Sequence, residues 1–238
     1  MKKVLITGAN KGVGFETAKQ MLQNGYYVFI GSRTLEKLKA EGFENAEAVQ
    51  LDVTDSGSVD SAREIIGKKT DVLDALINNA GINGGWPQSA FDATIDQFKS
   101  VFDTNVYGPV RVIQAFIDLM KNAEQPRIVN VSSSGCSLTL NSDPEWKYYT
   151  HKAAVYPASK AALNMYTIDL AYELRDTAFK VNAVCPGFVA TDFNNNRGTG
   201  TAEEAGIRIA RYALIGDDGP TGKFISEDHN PETGECPW

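Results

Sequence analysis

The most constraining feature of this 238-residue chain is an apolar run that leads directly into three glycines. Residues 4–6 (VLI) are followed by residues 7–14 (TGANKGVG), after which an amphipathic helical pattern begins. Glycines allow a sharp turn and let backbone N–H groups approach a diphosphate at a helix N-terminus. An ordinary strand-to-helix turn is the alternative, but such a turn does not need three glycines. The segment therefore predicts a βα unit that binds a nucleotide diphosphate.

Apolar, β-branched runs alternate with helical patterns along the rest of the chain. We predict strands at residues 3–7, 26–31, 48–51, 75–78, 127–131, 180–184 and 224–226. We predict helices at residues 14–24, 35–41, 56–67, 95–121, 157–176 and 202–213. This alternation is typical of an α/β fold of the Rossmann type. We expect a single doubly wound domain over residues 1–238, with a mostly parallel sheet of about seven strands flanked by helices.

The stretches between these elements carry further expectations. Residues 81–88, 138–151 and 193–200 are predicted to be long loops, and loops of that length in a compact domain are often functional. The last of them is rich in Asn and Gly, which favours a mobile lid. The C-terminal residues 226–238 are polar and turn-rich, and we expect them to pack loosely.

Composition excludes several classes of partner. The chain has 23 basic and 30 acidic residues and a net charge of −7, which disfavours nucleic acid and acidic membrane surfaces. No apolar run approaches the length of a membrane-spanning helix. Cys136, Cys185 and Cys236 lack metal-ligand spacing and leave one cysteine over, so we expect no metal site and a reducing, cytoplasmic location. The first two are predicted to be buried, inert thiols.

A tyrosine and a lysine one helical turn apart indicate acid/base chemistry. Tyr156 and Lys160 share a helix face, so the ammonium can lie beside the phenol and lower its pKa toward the working pH. A surface pair is the alternative for this spacing taken alone. Three consecutive serines, Ser132, Ser133 and Ser134, end a predicted strand shortly before the pair.

Five motifs in the same order resemble the short-chain dehydrogenase/reductase family. The glycine loop has the spacing G-x-x-x-G-x-G, and NNAG follows the fourth predicted strand at residues 78–81. VNVSS at residues 129–133, the Tyr156-x-x-x-Lys160 pair and a Pro-Gly at residues 186–187 with Thr191 complete the series. The resemblance implies hydride transfer between a nicotinamide and a carbonyl or alcohol carbon.

The resemblance also implies catalytic roles for four residues. Tyr156 would exchange a proton with the substrate oxygen, and Lys160 would lower the tyrosine pKa and hold the nicotinamide ribose. Ser133 would hydrogen-bond the substrate oxygen, while its two serine neighbours would cap the strand end. Asn105 would kink a helix and hold a water that relays protons from the lysine; an asparagine bonded to its own helix backbone is the alternative. His151 and His229 do not form a Ser-His-Asp pattern.

The end of the second strand bears on the choice of nicotinamide. A carboxylate there would bond the ribose 2′-hydroxyl and repel a 2′-phosphate, but this chain has Gly-Ser-Arg at residues 31–33. Arg33 can pair with a phosphate, and Lys11 is a second cation on the same side, so we expect NADPH. The alternatives are a solvated Arg33, a plain loop charge at Lys11 and a turn cap at Asp52. The predicted cofactor contacts are Gly8, Asn10, Lys11, Gly12, Val13, Gly14, Arg33, Asp52, Val53, Asn78, Tyr156, Lys160, Val189 and Thr191.

The chain departs from many family members between the serine and the tyrosine. Ser133 and Tyr156 are 23 residues apart, against about a dozen in many members. The extra residues 141–154 resemble an insertion of the carbonyl-reductase branch, where it covers a dimerisation face, so a monomer and a homo-oligomer both stay open. Trp86, Trp146, Phe188 and Phe193 are predicted around the nicotinamide, where they favour an apolar ketone or aldehyde. Packing is the alternative for each aromatic residue.

We therefore expect an NADPH-dependent carbonyl reductase that acts on a small ketone or aldehyde. One alternative is an NADP(H)-dependent alcohol dehydrogenase for a specific steroid, sugar or terpenoid. A regulator that senses dinucleotides without turnover is the alternative from another class. Such regulators usually lose the tyrosine or the lysine, whereas this chain has both together with Ser133 and Asn105.

Overall fold

The computed structural model describes residues 1–35 and 44–238. Within them, seven strands form one sheet in which every pair is parallel and the order is β3-β2-β1-β4-β5-β6-β7. The predicted Rossmann-type fold is therefore confirmed. The strands are β1 (Lys3–Thr7), β2 (Tyr27–Ser32), β3 (Ala46–Gln50), β4 (Ala75–Asn78), β5 (Arg127–Val131), β6 (Lys180–Val184) and β7 (Phe224–Ile225).

The helices follow the sequence pattern with two differences. They are α1 (Gly12–Gln23), α2 (Ser56–Gly67), α3 (Ile95–Phe102), α4 (Gly108–Lys121), α5 (Leu138–Ser142), α6 (Tyr156–Glu173) and α7 (Ala202–Ala213). The long helix predicted at residues 95–121 is interrupted by a π-helical turn, Asp103–Tyr107, between α3 and α4. The loop predicted at 138–151 begins with α5, since the Ser137 hydroxyl accepts the Leu140 N–H at 3.1 Å. Most of the helix predicted at 35–41 lies outside the described residues.

Apolar side chains fill both faces of the sheet, because successive strand residues point to opposite sides. Leu5 and Phe29 lie in the layer covered by α2, α4 and α6. Val4 and Ile6 lie in the layer covered by α1 and α7. Burial on both faces explains why these strands have continuous apolar sequences. None of the described helices is long and apolar enough to cross a lipid bilayer.

The C-terminal residues do not pack loosely as expected. The Trp238 ring stacks on Phe224 of β7 with centroids 5.5 Å apart, and its carbonyl accepts the Thr139 N–H at 3.2 Å. Backbone bonds from Ser226 to Gly234 and from Cys236 to Phe224 fold the segment back along β7. The prediction was wrong because polar, turn-rich composition does not reveal a few aromatic contacts that fix a segment.

Helices α1 and α7 approach closely at Gly206. A Cβ at this position would lie 2.7 Å from the Glu16 carbonyl carbon and 2.8 Å from the Thr17 nitrogen, both in the backbone of α1. The contact holds α1, whose N-terminus follows the glycine loop, at a fixed distance from α7.

We expect Gly206→Ala to lower the free energy of unfolding by about 1–3 kcal/mol, because the added methyl group meets backbone that cannot move aside. Alanine alone would favour the helix by about 1 kcal/mol. The control is Gly67→Ala in α2, where the new Cβ meets only the end of the flexible Arg63 side chain. Urea unfolding of both variants is the measurement, and equal stability of Gly206→Ala and wild type would contradict the packing argument.

Candidate active site

The predicted site residues converge at the carboxyl ends of the strands. The chain winds outward in both directions from the neighbouring strands β1 and β4, so the loops after these two strands part and leave a crevice. The loops after β5 and β6 border the same edge. The topology therefore brings together the glycine loop, the NNAG segment, the serines after β5 and Thr191.

The glycine loop is shaped by close backbone contacts. Gly8 has φ +64°, and a Cβ there would lie 2.8 Å from the Cα of Ala80 in the loop after β4. A Cβ at Gly14 would collide with the Asn79 amide and lie 2.8 Å from the Gly8 carbonyl oxygen. Lys11 occupies the N-cap of α1 without a side-chain cap bond, so the first helical N–H groups are available to an anion.

The two asparagines of the NNAG segment have different roles. Asn79 Nδ2 donates to the Thr7 and Gly8 carbonyls at 2.9 and 3.1 Å, and the Thr7 hydroxyl accepts the Asn79 N–H. The Asn78 side chain is buried in the sheet, where its Nδ2 donates to Asn130 Oδ1 at 2.9 Å. The residue that shapes the glycine loop is thus Asn79, which the sequence prediction omitted, and the Asn78 side chain lies away from the loop.

The two predicted cations have different surroundings. Arg33 is exposed after β2, and Lys11 Nζ forms an ion pair with Asp192 at 2.8 Å. Asp52 accepts the Thr54 N–H and hydroxyl at 3.0 and 2.7 Å, which is the turn cap considered as the alternative. Burial raises the pKa of Asp52, but the Thr54 bonds and the Arg33 charge outweigh it and hold that pKa below its usual value.

The remaining predicted cofactor contacts line the crevice or support it. Val53 is buried, and a Cβ at Gly108 would lie 2.8 Å from its Cγ2, so Val53 packs against α4. Val189 pairs with Gly200 and closes the base of the loop after β6. Thr191 faces the glycine loop, with its Cγ2 3.9 Å from the Cβ position of Gly12. Asn10 and Val13 are half-buried in the loop and the first turn of α1.

The π-helical turn places Asn105 inside the molecule. Its Oδ1 accepts the Ile82 N–H at 2.9 Å, and its Nδ2 donates to the Ile82 carbonyl at 2.9 Å and to the Ser159 hydroxyl at 3.0 Å. Asn105 thus bonds the loop after β4 and helix α6, whereas the alternative had its amide bonded to its own helix. Gly81 separates it from the lysine: a Cβ there would lie 3.3 Å from Asn105 Oδ1 and 3.7 Å from Lys160 Nζ.

Tyr156, Lys160 and Ser133 meet at the end of β5. Lys160 is 4% exposed, its Nζ donates to the Val131 carbonyl at 2.7 Å, and the same nitrogen lies 5.9 Å from the centre of the Tyr156 ring. The Ser133 side chain lies beside the Tyr156 phenol and lowers its pKa.

The serines on either side of Ser133 turn away from the phenol. Ser132 donates to Asn164 Oδ1 at 2.6 Å, and Ser134 accepts from Cys185 Sγ at 3.7 Å. The capping role expected of them belongs to Ser133 itself, whose Oγ accepts the Gly135 N–H at 3.2 Å.

Burial sets the protonation of the tyrosine and the lysine. It raises the pKa of the Tyr156 phenol well above 10, with a further upward contribution from the neighbouring thiols, and the nearby Ser133 side chain offsets only part of this. Burial also lowers the pKa of Lys160 to about 8. The expected lowering of the tyrosine pKa by the ammonium is therefore outweighed by burial. A phenol that keeps its proton at neutral pH is suited to donate it.

Aromatic rings cover the phenol and one side of the crevice. The Phe193 ring lies 5.3 Å from the Tyr156 ring in an edge-on arrangement, and the Phe193 carbonyl accepts a bond from Asn83. The Phe188 ring is 5.9 Å from that of Tyr148. The other two aromatic residues predicted around the nicotinamide have other surroundings. Trp146 is buried with Cys136 and Cys185, and Trp86 is 67% exposed.

Known proteins of one family are similar to most of this chain. The family model described as short chain dehydrogenase matches residues 2–202. The chain is 31% identical to (+)-neomenthol dehydrogenase from Capsicum annuum over 298 aligned positions, which cover 93% of this chain and 94% of the relative. An alignment longer than the chain means that this relative has segments that the chain lacks.

Solved structures are similar over the whole fold. The structure of salutaridine reductase from Papaver somniferum has 31% identity and a TM-score of 0.80, covering 94% of this chain and 99% of that one. NADPH-bound carbonyl reductase from chicken fatty liver has 26% identity and a TM-score of 0.84, covering 100% and 99%. These similarities, together with the glycine loop and the Tyr156–Lys160 pair, show that the chain belongs to the short-chain dehydrogenase/reductase family.

Proposed function

We propose that this protein is an NADPH-dependent carbonyl reductase in which Tyr156 donates the proton to the substrate oxygen. The observation that carries the proposal is the phenol at the end of β5, beside Ser133, with the buried Lys160 ammonium on the same helix face. The relatives named neomenthol dehydrogenase, salutaridine reductase and isopiperitenone reductase support a small, apolar carbonyl or alcohol as the substrate.

The crevice fits NADPH. The contacts at Gly8 and Gly14 hold the glycine loop against the loop after β4, beside the uncapped N-terminus of α1, where a diphosphate would bind. Arg33 is exposed after β2 and supplies positive charge for a 2′-phosphate, and Lys11 would add to it on release from its ion pair with Asp192. Solved relatives contain NADPH or NADP. The nicotinamide supplies the hydride. Thr191 and Val189 border this crevice from the loop after β6.

Each residue of the site then has one task. Ser133 stabilises the substrate oxygen as negative charge develops on it, and Tyr156 gives that oxygen its proton. Lys160 holds a positive charge beside the phenol and stabilises the phenolate that remains. Asn105, bonded to Ile82 and Ser159, keeps the loop after β4 in register with α6. Phe193 excludes water from the phenol.

An alcohol dehydrogenase for a steroid, sugar or terpenoid uses the same groups in the opposite direction. We favour reduction because burial keeps the phenol protonated. A regulator without turnover is disfavoured by the four assembled polar groups.

We also propose that residues 1–238 form one domain, with the cofactor part at about 1–130 and the catalytic part at about 131–238. Three free, buried thiols support a reducing cytoplasm.

Tyr156→Phe should lower kcat by at least about 100-fold, because the proton donor is lost while the ring remains. NADPH binding, followed by fluorescence, should stay within about twofold. The assay is loss of NADPH absorbance with menthone, isopiperitenone, salutaridine and benzaldehyde. Tyr166→Phe, another half-buried tyrosine of α6, is the control and should keep wild-type activity. A Tyr156→Phe variant with near-normal kcat would refute the acid/base assignment.

Arg33→Asp should reduce the ratio of kcat/KM for NADPH to kcat/KM for NADH by at least about tenfold, since a carboxylate repels the 2′-phosphate and accepts from a 2′-hydroxyl. Arg175→Asp makes the same charge change near the far end of α6 and should leave the ratio unchanged. If both variants have the wild-type ratio, Arg33 does not select the cofactor.

The pH dependence of kcat/KM for NADPH should follow the Lys160 ammonium. Burial lowers its pKa to about 8, so the charge is present below that pH and is lost as pH rises through it. We expect kcat/KM to fall about tenfold per pH unit above pH 8, as for a single essential ionisation. A profile that stays flat to pH 9.5 would contradict the role of the charge.

A further inference from the structure

Gln88 is a buried glutamine whose side chain ends at the backbone of the proton donor. It is 2% exposed, and its Oε1 accepts the Tyr156 N–H at 3.1 Å. Its Nε2 donates to the Gly85 carbonyl at 2.7 Å and to the Asn83 carbonyl. The amide nitrogen faces two acceptors and the amide oxygen faces a donor, so only one orientation of the amide satisfies all three bonds.

The start of α6 depends on this contact. Val155 occupies the N-cap and makes no side-chain cap bond, and Pro157 has no N–H to offer. The first N–H groups of a helix need partners from outside it. Gln88 supplies that partner for Tyr156, and its own carbonyl accepts the Ala154 N–H at 2.8 Å. One residue therefore fixes the chain on both sides of the entry to α6.

The opposite side of Tyr156 is fixed as well. The Ser159 hydroxyl donates to the Tyr156 carbonyl at 2.7 Å and accepts from Asn105 at 3.0 Å. The peptide groups before and after the Tyr156 Cα are thus both bonded to side chains. Because a displacement of about 1 Å at a reacting group can cost about 100-fold in rate, a fixed Cα matters to the phenol it carries.

We propose that Gln88 is a positioning residue for the reaction: it holds the Tyr156 backbone so that the phenol meets the substrate oxygen. The inference rests on the proposed function, since it takes the Tyr156 phenol as the proton donor. Gln88 reaches neither substrate nor nucleotide in this role and acts only through the N-terminus of α6.

The test compares Gln88→Met, which removes the acceptor, with Gln97→Met. Gln97 is a matched control because its Nε2 donates to the Gly84 and Pro87 carbonyls of the same loop at 3.2 and 3.1 Å, and its other bonds are to the cap of α3. The substrate is the compound that wild type reduces fastest among the four used for the Tyr156→Phe assay. With it, Gln88→Met should lower kcat at least tenfold. Its KM for NADPH should stay within twofold, and Gln97→Met should keep kcat within threefold.

Amide exchange gives a readout that does not depend on turnover. Exchange of the Tyr156 N–H, resolved by NMR, should accelerate at least tenfold in Gln88→Met and stay unchanged in Gln97→Met. If wild type reduces no carbonyl but Tyr156 exchange responds in this way, the proposed function fails while the contact stands. Wild-type kcat in Gln88→Met, or equal losses in both variants, would overturn the positioning role.

Gln88→Glu covers the case in which the methionine variant does not fold. It keeps an oxygen for the Tyr156 N–H but places a carboxylate opposite the two carbonyls. The ratio of its kcat to that of wild type should rise as pH falls, because the protonated acid recovers one donor. A ratio independent of pH would count against the proposal.

Discussion

The site depends on a buried positive charge that has one acceptor in the backbone. The Lys160 ammonium is removed from water and bonded to the Val131 carbonyl, the last residue of β5. Burial of an unpaired ion costs several kcal/mol, so the lysine holds α6 against the sheet at one register. Tyr156 lies one turn earlier on the same helix. The bond between Lys160 and the Val131 carbonyl therefore sets how far the phenol lies from the end of β5 and from Ser133.

Around this contact, side chains from separate parts of the chain bond to the backbone of the first turn of α6. Asn105 reaches it through Ser159 from the π-helical turn, and Gln88 reaches it from the loop after β4. Both also bond carbonyls of that loop, Asn105 at Ile82 and Gln88 at Gly85. The loop that borders the crevice is therefore linked by hydrogen bonds to the helix that carries the phenol.

Most of the fold could be predicted because the apolar patterns are local and strong. The strands of the sheet, the helix at Ser56–Gly67 and the one at Ala202–Ala213 each follow from a short stretch of sequence. The π-helical turn could not, since its backbone is stabilised by Asn105 bonding a loop that lies 23 residues earlier in the chain. Asn79 and Gln88 were missed for the same reason: their partners are distant in sequence, and an asparagine or glutamine in a loop is ordinarily solvated. Trp238 shows that single aromatic contacts can order a polar segment.

The three sulfurs beside this site have a practical consequence. Cys136, Cys185 and Cys236 lie in the cluster that also contains Trp146 and Phe224, between the sheet edge and the C-terminal segment. Burial raises the pKa of Cys136 to about 11 and that of Cys236 to about 12, so the thiolate form is scarce at neutral pH. Alkylating dyes need that form and physical access. The rate at which such dyes label these cysteines therefore measures how often the C-terminal segment separates from β7 in the folded enzyme.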